Sequence, residues 1–221
     1  MMDSFQIEKS FQYENAYYAT CTDKRIAKQI VHYELYKKIM DLPGDLIECG
    51  IFKGNSFFEL GHYRNILETQ QSRKLIGFDI FGKFPETHYE DDKEKRINFI
   101  KDAGENSIDI DKMHEILSYK NISNYELIKG DINYTIPEYC KINPCLKIAL
   151  LHIDVDIYEP TVTILENMYD KIVKGGIVIF DDYSFFPGET KAVDDFFRNK
   201  DIKLEKLPFL HKPTFIIKNE F

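Results

Sequence analysis

Two apolar runs in the chain end in carboxylates: His152-Ile153-Asp154-Val155-Asp156-Ile157-Tyr158 and Phe180-Asp181-Asp182-Tyr183. If the runs are neighbouring parallel strands that end level, Asp154, Asp181 and Asp182 meet at one edge of a sheet. Three carboxylates there repel one another unless a cation intervenes. Oxygen-only ligation suits a hard divalent ion such as Mg2+, with waters or substrate oxygens completing the shell. These three are therefore the candidate metal ligands; the alternative is that they cap helices and face solvent.

A second constellation lies earlier, in Glu48-Cys49-Gly50-Ile51-Phe52-Lys53-Gly54-Asn55-Ser56, followed by the helix-compatible segment Phe57–Leu67. A turn of this kind after a first strand sits where doubly wound sheets bind ligands. Its two glycines let backbone approach a ligand closely, and Ser56 can cap the helix or donate a hydrogen bond. Neither the GxGxxG of a pyrophosphate site nor the Gly-Lys-Ser/Thr of a phosphate-binding loop is present. About one strand-helix-strand unit later, Asp79 closes Ile76-Gly77-Phe78-Asp79-Ile80-Phe81, where a carboxylate can accept both hydroxyl protons of a ribose. Gly130-Asp131 stands beside the same crevice, and Asp131 either holds an adenine edge or is half of a turn dipeptide.

The elements that must position these groups follow from the alternation of short apolar runs with segments of helical period, the pattern of an α/β doubly wound sheet. Seven strands are expected: Asp45–Cys49, Lys74–Asp79, Tyr125–Lys129, Lys147–Asp154, Gly176–Phe180, Ile202–Leu207 and Thr214–Lys218. The last two, separated only by Pro208–Pro213, leave no room for a crossover helix and are expected to pair as an antiparallel hairpin, the ending of class I methyltransferase folds. Pro160, the apolar face Ile164, Leu165, Met168 and Ile172, and Gly175 predict a helix over Pro160–Val173. Thr22–Met40 reads as a helix whose stripe Ile26, Ile30, Tyr33 and Tyr36 faces the core. The aromatic N-terminus, with Phe5, Phe11, Tyr13, Tyr17 and Tyr18, is expected to cap an acceptor site or to meet another subunit, which leaves room for a homo-oligomer. Residues 1–43 are thus read as an N-terminal helical cap on the acceptor side and residues 44–221 as the main domain.

At 221 residues and 43% hydrophobic content the chain suits one large core. Its 29 basic and 37 acidic residues give a net charge of -8, which disfavours nucleic acid as a partner. No apolar stretch reaches the length of a membrane span. Cys21, Cys49, Cys140 and Cys145 lack both CxxC spacing and the density of a disulfide framework. A reduced protein in the cytoplasm is expected.

The residues between Gly44 and Phe197 resemble the macrocin O-methyltransferase family, which methylates sugar hydroxyls on macrolide antibiotics and related glycosides. The resemblance rests on Gly-Asp-Leu-Ile-Glu-Cys-Gly at 44–50, on Phe78-Asp79-Ile80-Phe81-Gly82-Lys83-Phe84-Pro85 and on Gly130-Asp131-Ile132-Asn133-Tyr134-Thr135-Ile136-Pro137. It continues through Ile153-Asp154-Val155-Asp156-Ile157-Tyr158-Glu159-Pro160-Thr161 and Asp181-Asp182-Tyr183 with Pro187-Gly188. It implies a class I fold, S-adenosylmethionine as methyl donor, and a metal held by Asp154, Asp181 and Asp182. Donor contacts are then expected from Glu48, Gly50, Phe52, Gly54, Ser56, Asp79, Phe81, Asp131 and Asp154. The Gly50–Ser56 turn and the spacing of Asp154 and Asp181 also resemble metal-dependent catechol O-methyltransferases. Those enzymes carry a lysine base where this chain has Ile157, so catechol specificity does not transfer.

For such a reaction Mg2+ would orient and acidify the acceptor hydroxyl, with Asp154 as the base, Asp156 as second choice and His88 or His211 as alternatives. The expected partner is a small-molecule acceptor, a sugar or glycan precursor. Residues 1–43 and Gly82–Asp92 are expected to line most of the acceptor pocket. Two other readings stay open: a phosphorylated or phosphoramidate surface-glycan precursor as acceptor, with Lys53, Lys83 and His88 as candidate anion contacts, and a scaffold that keeps the nucleotide pocket without catalysis.

Overall fold

Each strand is short, apolar and closed by a turn or by a carboxylate, and the computed structural model, which describes residues 6–219, assembles them into one sheet. The strands are β1 (Asp45–Cys49), β2 (Leu75–Asp79), β3 (Tyr125–Lys129), β4 (Ile148–Ile153), β5 (Ile172–Phe180) and β6 (Thr214–Ile217). Their order is β3-β2-β1-β4-β5-β6, with β1 to β5 parallel and β6 antiparallel to β5. The sheet reverses direction beside β1 and β4, the position at which doubly wound folds bind ligands.

Among the described residues eight α-helices accompany the sheet: α1 (Ser10–Thr20), α2 (Asp23–Lys37), α3 (Asn55–Leu67), α4 (Glu90–Ala103), α5 (Ile110–Tyr119), α6 (Ile132–Ile142), α7 (Tyr158–Met168) and α8 (Pro187–Phe197). Alternate residues of a strand face opposite sides. Ile47, Ile76, Leu151 and Val178 accordingly join Ile136 of α6, Ile164 of α7 and Val193 of α8 in one core. Leu46, Leu75, Leu150 and Ile177 join Leu35 and Tyr36 of α2, Phe57 of α3 and Met113 of α5 in the other. No helix among the described residues is long and apolar enough to cross a membrane.

Four expectations change. The sheet has six strands, not seven: Ile202–Leu207 forms no strand, and the expected hairpin survives only as Glu205 and Phe215, which exchange both backbone hydrogen bonds at 2.8 Å. Pro208 and Pro213 lack the N–H groups that a longer ladder would need. The helix expected to reach Val173 ends at Met168, and after a short 3-10 turn the chain enters β5 at Ile172, whose Cα partner is Ile148. Gly175 therefore lies inside β5 rather than ending the helix. In α2 the buried face is Val31, His32, Leu35 and Tyr36, so Ile30 and Tyr33 of the expected stripe are exposed.

α1 buries none of its residues, and Phe11, Tyr13 and Tyr18 are exposed; Phe5 lies outside the described residues. α4 was not legible as an apolar period because Glu90-Asp91-Asp92-Lys93-Glu94-Lys95-Arg96 is almost wholly charged. It is held by two buried side chains, of which Arg96 donates to the carbonyls of Pro85 at 2.6 Å and Phe84 at 2.9 Å. Asp92 accepts the N–H of Tyr158 at 3.0 Å and that of Gly188 at 2.7 Å, satisfying the first turns of α7 and α8. A Cβ on Gly188 would stand 1.9 Å from that carboxylate.

Gly50 carries the tightest backbone approach of the sheet edge. At φ +91°, a Cβ there would lie 1.8 Å from the carbonyl oxygen of Asp154. Gly50→Ala combines a disfavoured φ with a backbone clash, and about 3 kcal/mol or more of stability should be lost. Thermal melts should show Tm falling by roughly 6–12 °C; a fall of a degree or less would mean that β1 and β4 do not converge in this way.

Candidate active site

The ends of β1, β4 and β5 are brought level by register, with Cys49 opposite Ile153 and Ile153 opposite Phe180. The next residue of each strand continues the pattern. Gly50 N–H donates to Phe78 O at 2.9 Å, Asp154 N–H to Cys49 O at 2.9 Å and Asp181 N–H to Ile153 O at 3.0 Å. The carboxylates of the two apolar runs therefore do meet at one edge of the sheet.

Their side chains sort themselves into two groups. Asp154, Asp156 and Asp182 each offer an oxygen within 4.8 Å of the others, a spacing that a single cation can bridge. Asp181 turns instead toward cations of the chain: Lys28 of α2 at 2.7 Å and His152 of β4 at 3.4 Å. Asp156 thus takes the place that the sequence assigned to Asp181. Lys28 also reaches Asp154 at 3.9 Å, and Lys212, from the loop before β6, bonds to Asp182. Glu189 of α8 is fully buried and accepts the N–H of Asp182 at 2.9 Å.

The electrostatics follow from this geometry. Burial, reinforced by Asp181, pushes Asp154 up to about 8 in spite of Lys28. Burial and the charge of Asp182 push Asp156 well up, and the same two causes raise Glu189. Burial would also raise Asp181, but Lys28 and His152 overcome it and hold the carboxyl well below the usual range. For His152, burial opposes the charge, yet Asp181 and Glu48 lift it to about 10, so the ring is an imidazolium at neutral pH. His32, whose ring centroid is 5.1 Å from that of His152, is depressed by burial even though Nδ1 lies 2.9 Å from Glu59.

The glycine turn is shaped by Asp79. One of its oxygens accepts the N–H groups of Ile51 at 2.9 Å and Phe52 at 3.0 Å, and the other accepts that of Phe81 at 2.6 Å. An ionised carboxylate has about four acceptor positions, so most of this one is committed to the backbone. Ser56 is likewise engaged, donating to the buried Glu48 at 2.6 Å, while Gly54, at φ +86°, precedes α3. Asp131 caps α6 through the N–H of Asn133 at 2.8 Å.

The remaining candidates are scattered. His88 is exposed, on a loop that Glu159 holds through the N–H of His88 at 2.7 Å and of Tyr89 at 3.1 Å. His211 Nε2 lies 3.1 Å from Ser184 Oγ. Lys53 bonds to the carbonyl of Asn106, and Lys83 pairs with Glu105 at 2.9 Å. The lysines that do touch the acidic edge, Lys28 and Lys212, were invisible in the sequence because neither stands near an aspartate of the cluster along the chain.

A family model described as macrocin-O-methyltransferase (TylF) matches residues 18–208. The chain belongs to this family. Demethyldecarbamoylnovobiocin O-methyltransferase of Streptomyces niveus is 30% identical over 174 residues, covering 73% of this chain and 61% of that protein. Mycinamicin III 3''-O-methyltransferase of Micromonospora griseorubida is 26% identical over 164 residues, covering 70% and 61%. The chain thus spans less than two thirds of the length of these curated relatives. Among solved structures, the calicheamicin methyltransferase CalS11 superposes with a TM-score of 0.78 at 24% identity, over 96% of this chain and 86% of that one. The O-methyltransferase NovP does so with 0.72 at 21%, over 87% and 80%. The fold is that of class I methyltransferases.

In this macrocin-O-methyltransferase family member the shifts of His152 and Asp154 make stability depend on pH with a defined sign. His152 is raised from 6.5 to about 10, so its contribution is full below 6.5 and fades as pH rises through 10. Asp154, raised from 3.8 to about 8, is favoured in its protonated form and also loses stability as pH rises through that interval. With chelator present, Tm should fall steadily from pH 6.5 to 10, and His152→Gln should flatten the upper part of that slope. An identical slope in the variant would show that His152 carries no proton between Glu48 and Asp181.

Proposed function

We propose that the chain transfers a methyl group from S-adenosylmethionine to a hydroxyl of a sugar or sugar-related small molecule in the cytoplasm, with a divalent cation such as Mg2+ at the acidic edge. The observation that carries this reading is the convergence of Asp154, Asp156 and Asp182 within 4.8 Å, beside the turn that follows β1. The donor set is oxygen only, which fits a hard cation. Asp154 and Asp182 would hold it with Asp156, and Asp181 would stand by, restrained by Lys28 and His152. A cation bound there would supply Lewis acidity to the acceptor hydroxyl and fix its position.

Methyl transfer needs the acceptor oxygen, the methyl carbon and the sulfur in one line. In this reading the backbone of Gly50 to Gly54, tied by Asp79, would hold the donor, and the acidic edge would hold the acceptor. The oxygen–carbon bond forms as the carbon–sulfur bond breaks, the electron pair leaves on sulfur, and the hydroxyl proton passes to a carboxylate. Asp154 is the assigned acceptor of that proton, since it is partly exposed and ends β4 directly beside Gly50. A relative from Streptomyces olivaceus, 27% identical over 152 residues, is named for 4'-O-methylation of a rhamnosyl tetracenomycin C and supports a sugar hydroxyl as the acceptor class.

Incubation with labelled S-adenosylmethionine and a panel of glycosides, sugar phosphates and nucleotide sugars tests the activity. Chelator should abolish turnover. Asp182→Ala should reduce kcat by at least about 100-fold, about 3 kcal/mol of barrier, while donor binding measured by calorimetry persists. Comparing Mg2+ affinity in Asp156→Asn and Asp181→Asn identifies the third ligand. Full turnover in chelator together with normal methylation by Asp182→Ala would overturn the cation mechanism.

A further inference from the structure

Among the described residues a second cluster of donor atoms adjoins the acidic edge and shares no member with the first. His32 of α2, His152 of β4 and Asp181, which follows β5, each offer an atom within 4.8 Å of the other two, and all three are buried. The set is two imidazoles and one carboxylate. Imidazole nitrogen suits a borderline transition ion such as Zn2+, whereas the oxygen-only set of Asp154, Asp156 and Asp182 suits Mg2+.

The cluster has more than proximity. His32 Nδ1 faces Glu59 at 2.9 Å, and Nε2, the nitrogen left for a ligand, is fully buried with no hydrogen-bond partner among the described residues. A buried polar atom in that state calls for a water or an ion. Burial also favours the neutral ring, which is the form that ligates metals. His152 Nε2 stands 3.4 Å from Asp181 Oδ1, whereas a charge-assisted hydrogen bond closes to about 2.7–2.9 Å. Ligands of a tetrahedral zinc, each about 2.0–2.1 Å from the ion, stand about 3.3–3.4 Å apart. The pair is therefore spaced as one edge of such a tetrahedron.

Every member is also supported from behind. Glu59 backs His32, Glu48 lies 3.9 Å from His152 Nδ1, and Lys28 bonds to Oδ2 of Asp181 at 2.7 Å, which leaves Oδ1 to the cluster. Carboxylates behind ligating imidazoles fix the rings and raise their basicity. We propose that His32, His152 and Asp181 bind Zn2+ in a site separate from the oxygen-only one, with water in the fourth position. The ion takes the place of the proton on His152 Nε2, which is released, and ties α2 to the carboxyl ends of β4 and β5. Asp181, which the sequence assigned to the hard cation, serves a different one. The site does not depend on the methyl-transfer reading.

Calorimetry on the full chain, stripped of metal and then saturated with Mg2+, tests the site. Zn2+ should bind one to one and raise Tm, and Co2+ in its place should give the intense visible absorption of a low-coordinate, nitrogen-ligated ion, bleached by Zn2+. His32→Gln should weaken Zn2+ binding at least about 100-fold and remove the Co2+ absorption while Mg2+ affinity stays within about twofold. Asp156→Asn should lower Mg2+ affinity and spare Zn2+. Glu59→Gln, which alters only the half-buried carboxylate behind His32, should weaken Zn2+ binding about tenfold or more, and it carries the test if His32→Gln does not fold. No Zn2+ binding in the Mg2+-saturated chain, an unchanged Zn2+ affinity in either variant, or loss of Zn2+ binding in Asp156→Asn overturns the proposal. Zn2+ binding that depends on His32 in a chain that binds no Mg2+ would leave this site standing and remove the hard cation from the methyl-transfer reading.

Discussion

Carboxylates held close together and away from water must be neutralised where they stand, and that requirement organises this molecule more than any other single interaction. Asp154, Asp156, Asp181, Asp182, Glu48 and Glu189 crowd one end of the sheet. The compensating charges come from three different parts of the chain: Lys28 from α2, His152 from β4 and Lys212 from the loop before β6. Of these only His152 belongs to the sheet; Lys28 and Lys212 are imported, and each draws a distant segment onto the carboxyl edge. The pairs are valued less for stability in themselves than for the arrangement they enforce, because a buried ion pair gains little over an apolar replacement while a half-removed one costs several kcal/mol.

The turn after β1 is governed by backbone geometry. Gly50 leaves no room for a side chain between β1 and Asp154, and Asp79 gathers three N–H groups of the turns after β1 and β2. Acid and turn are one construction: the strand whose end carries Asp154 is the strand against which Gly50 is pressed. Residues assigned to donor and acceptor from sequence therefore share atoms of support, and a change at one end of β4 is felt at the other side of the crevice.

Much of this was legible from residue order. Short apolar runs named β1 to β6 to within a few residues, and carboxylates at strand ends located the acidic edge, since position at a strand end is a local property. What was not legible depended on separation. Lys28 and Asp181 are 153 residues apart, and no pattern in either neighbourhood announces the other. Asp156 rather than Asp181 stands with Asp154 and Asp182 because Asp181 is drawn away by Lys28 and His152, partners that its own neighbourhood in the sequence does not announce. α4 escaped notice because a helix can be anchored by a buried carboxylate and a buried guanidinium behind a charged exterior, with little apolar stripe to betray it. The seventh strand failed for the opposite reason: its β-branched and leucine residues promised a ladder that two prolines curtail.

Asp92 has a consequence for how members of this family can be recombined. By satisfying the first turns of α7 and α8 at once, it makes the span from 82 to 103 a keystone that cannot be lifted out without loosening both helices, one of which follows Asp154 and Asp156 while the other follows Asp182. Grafting that span from another family member must therefore carry its anchor with it. A graft without an aspartate in register would transplant the lining and dismantle the wall behind it, so the portable unit is the loop together with its anchor, and the glycine at 188 that receives it.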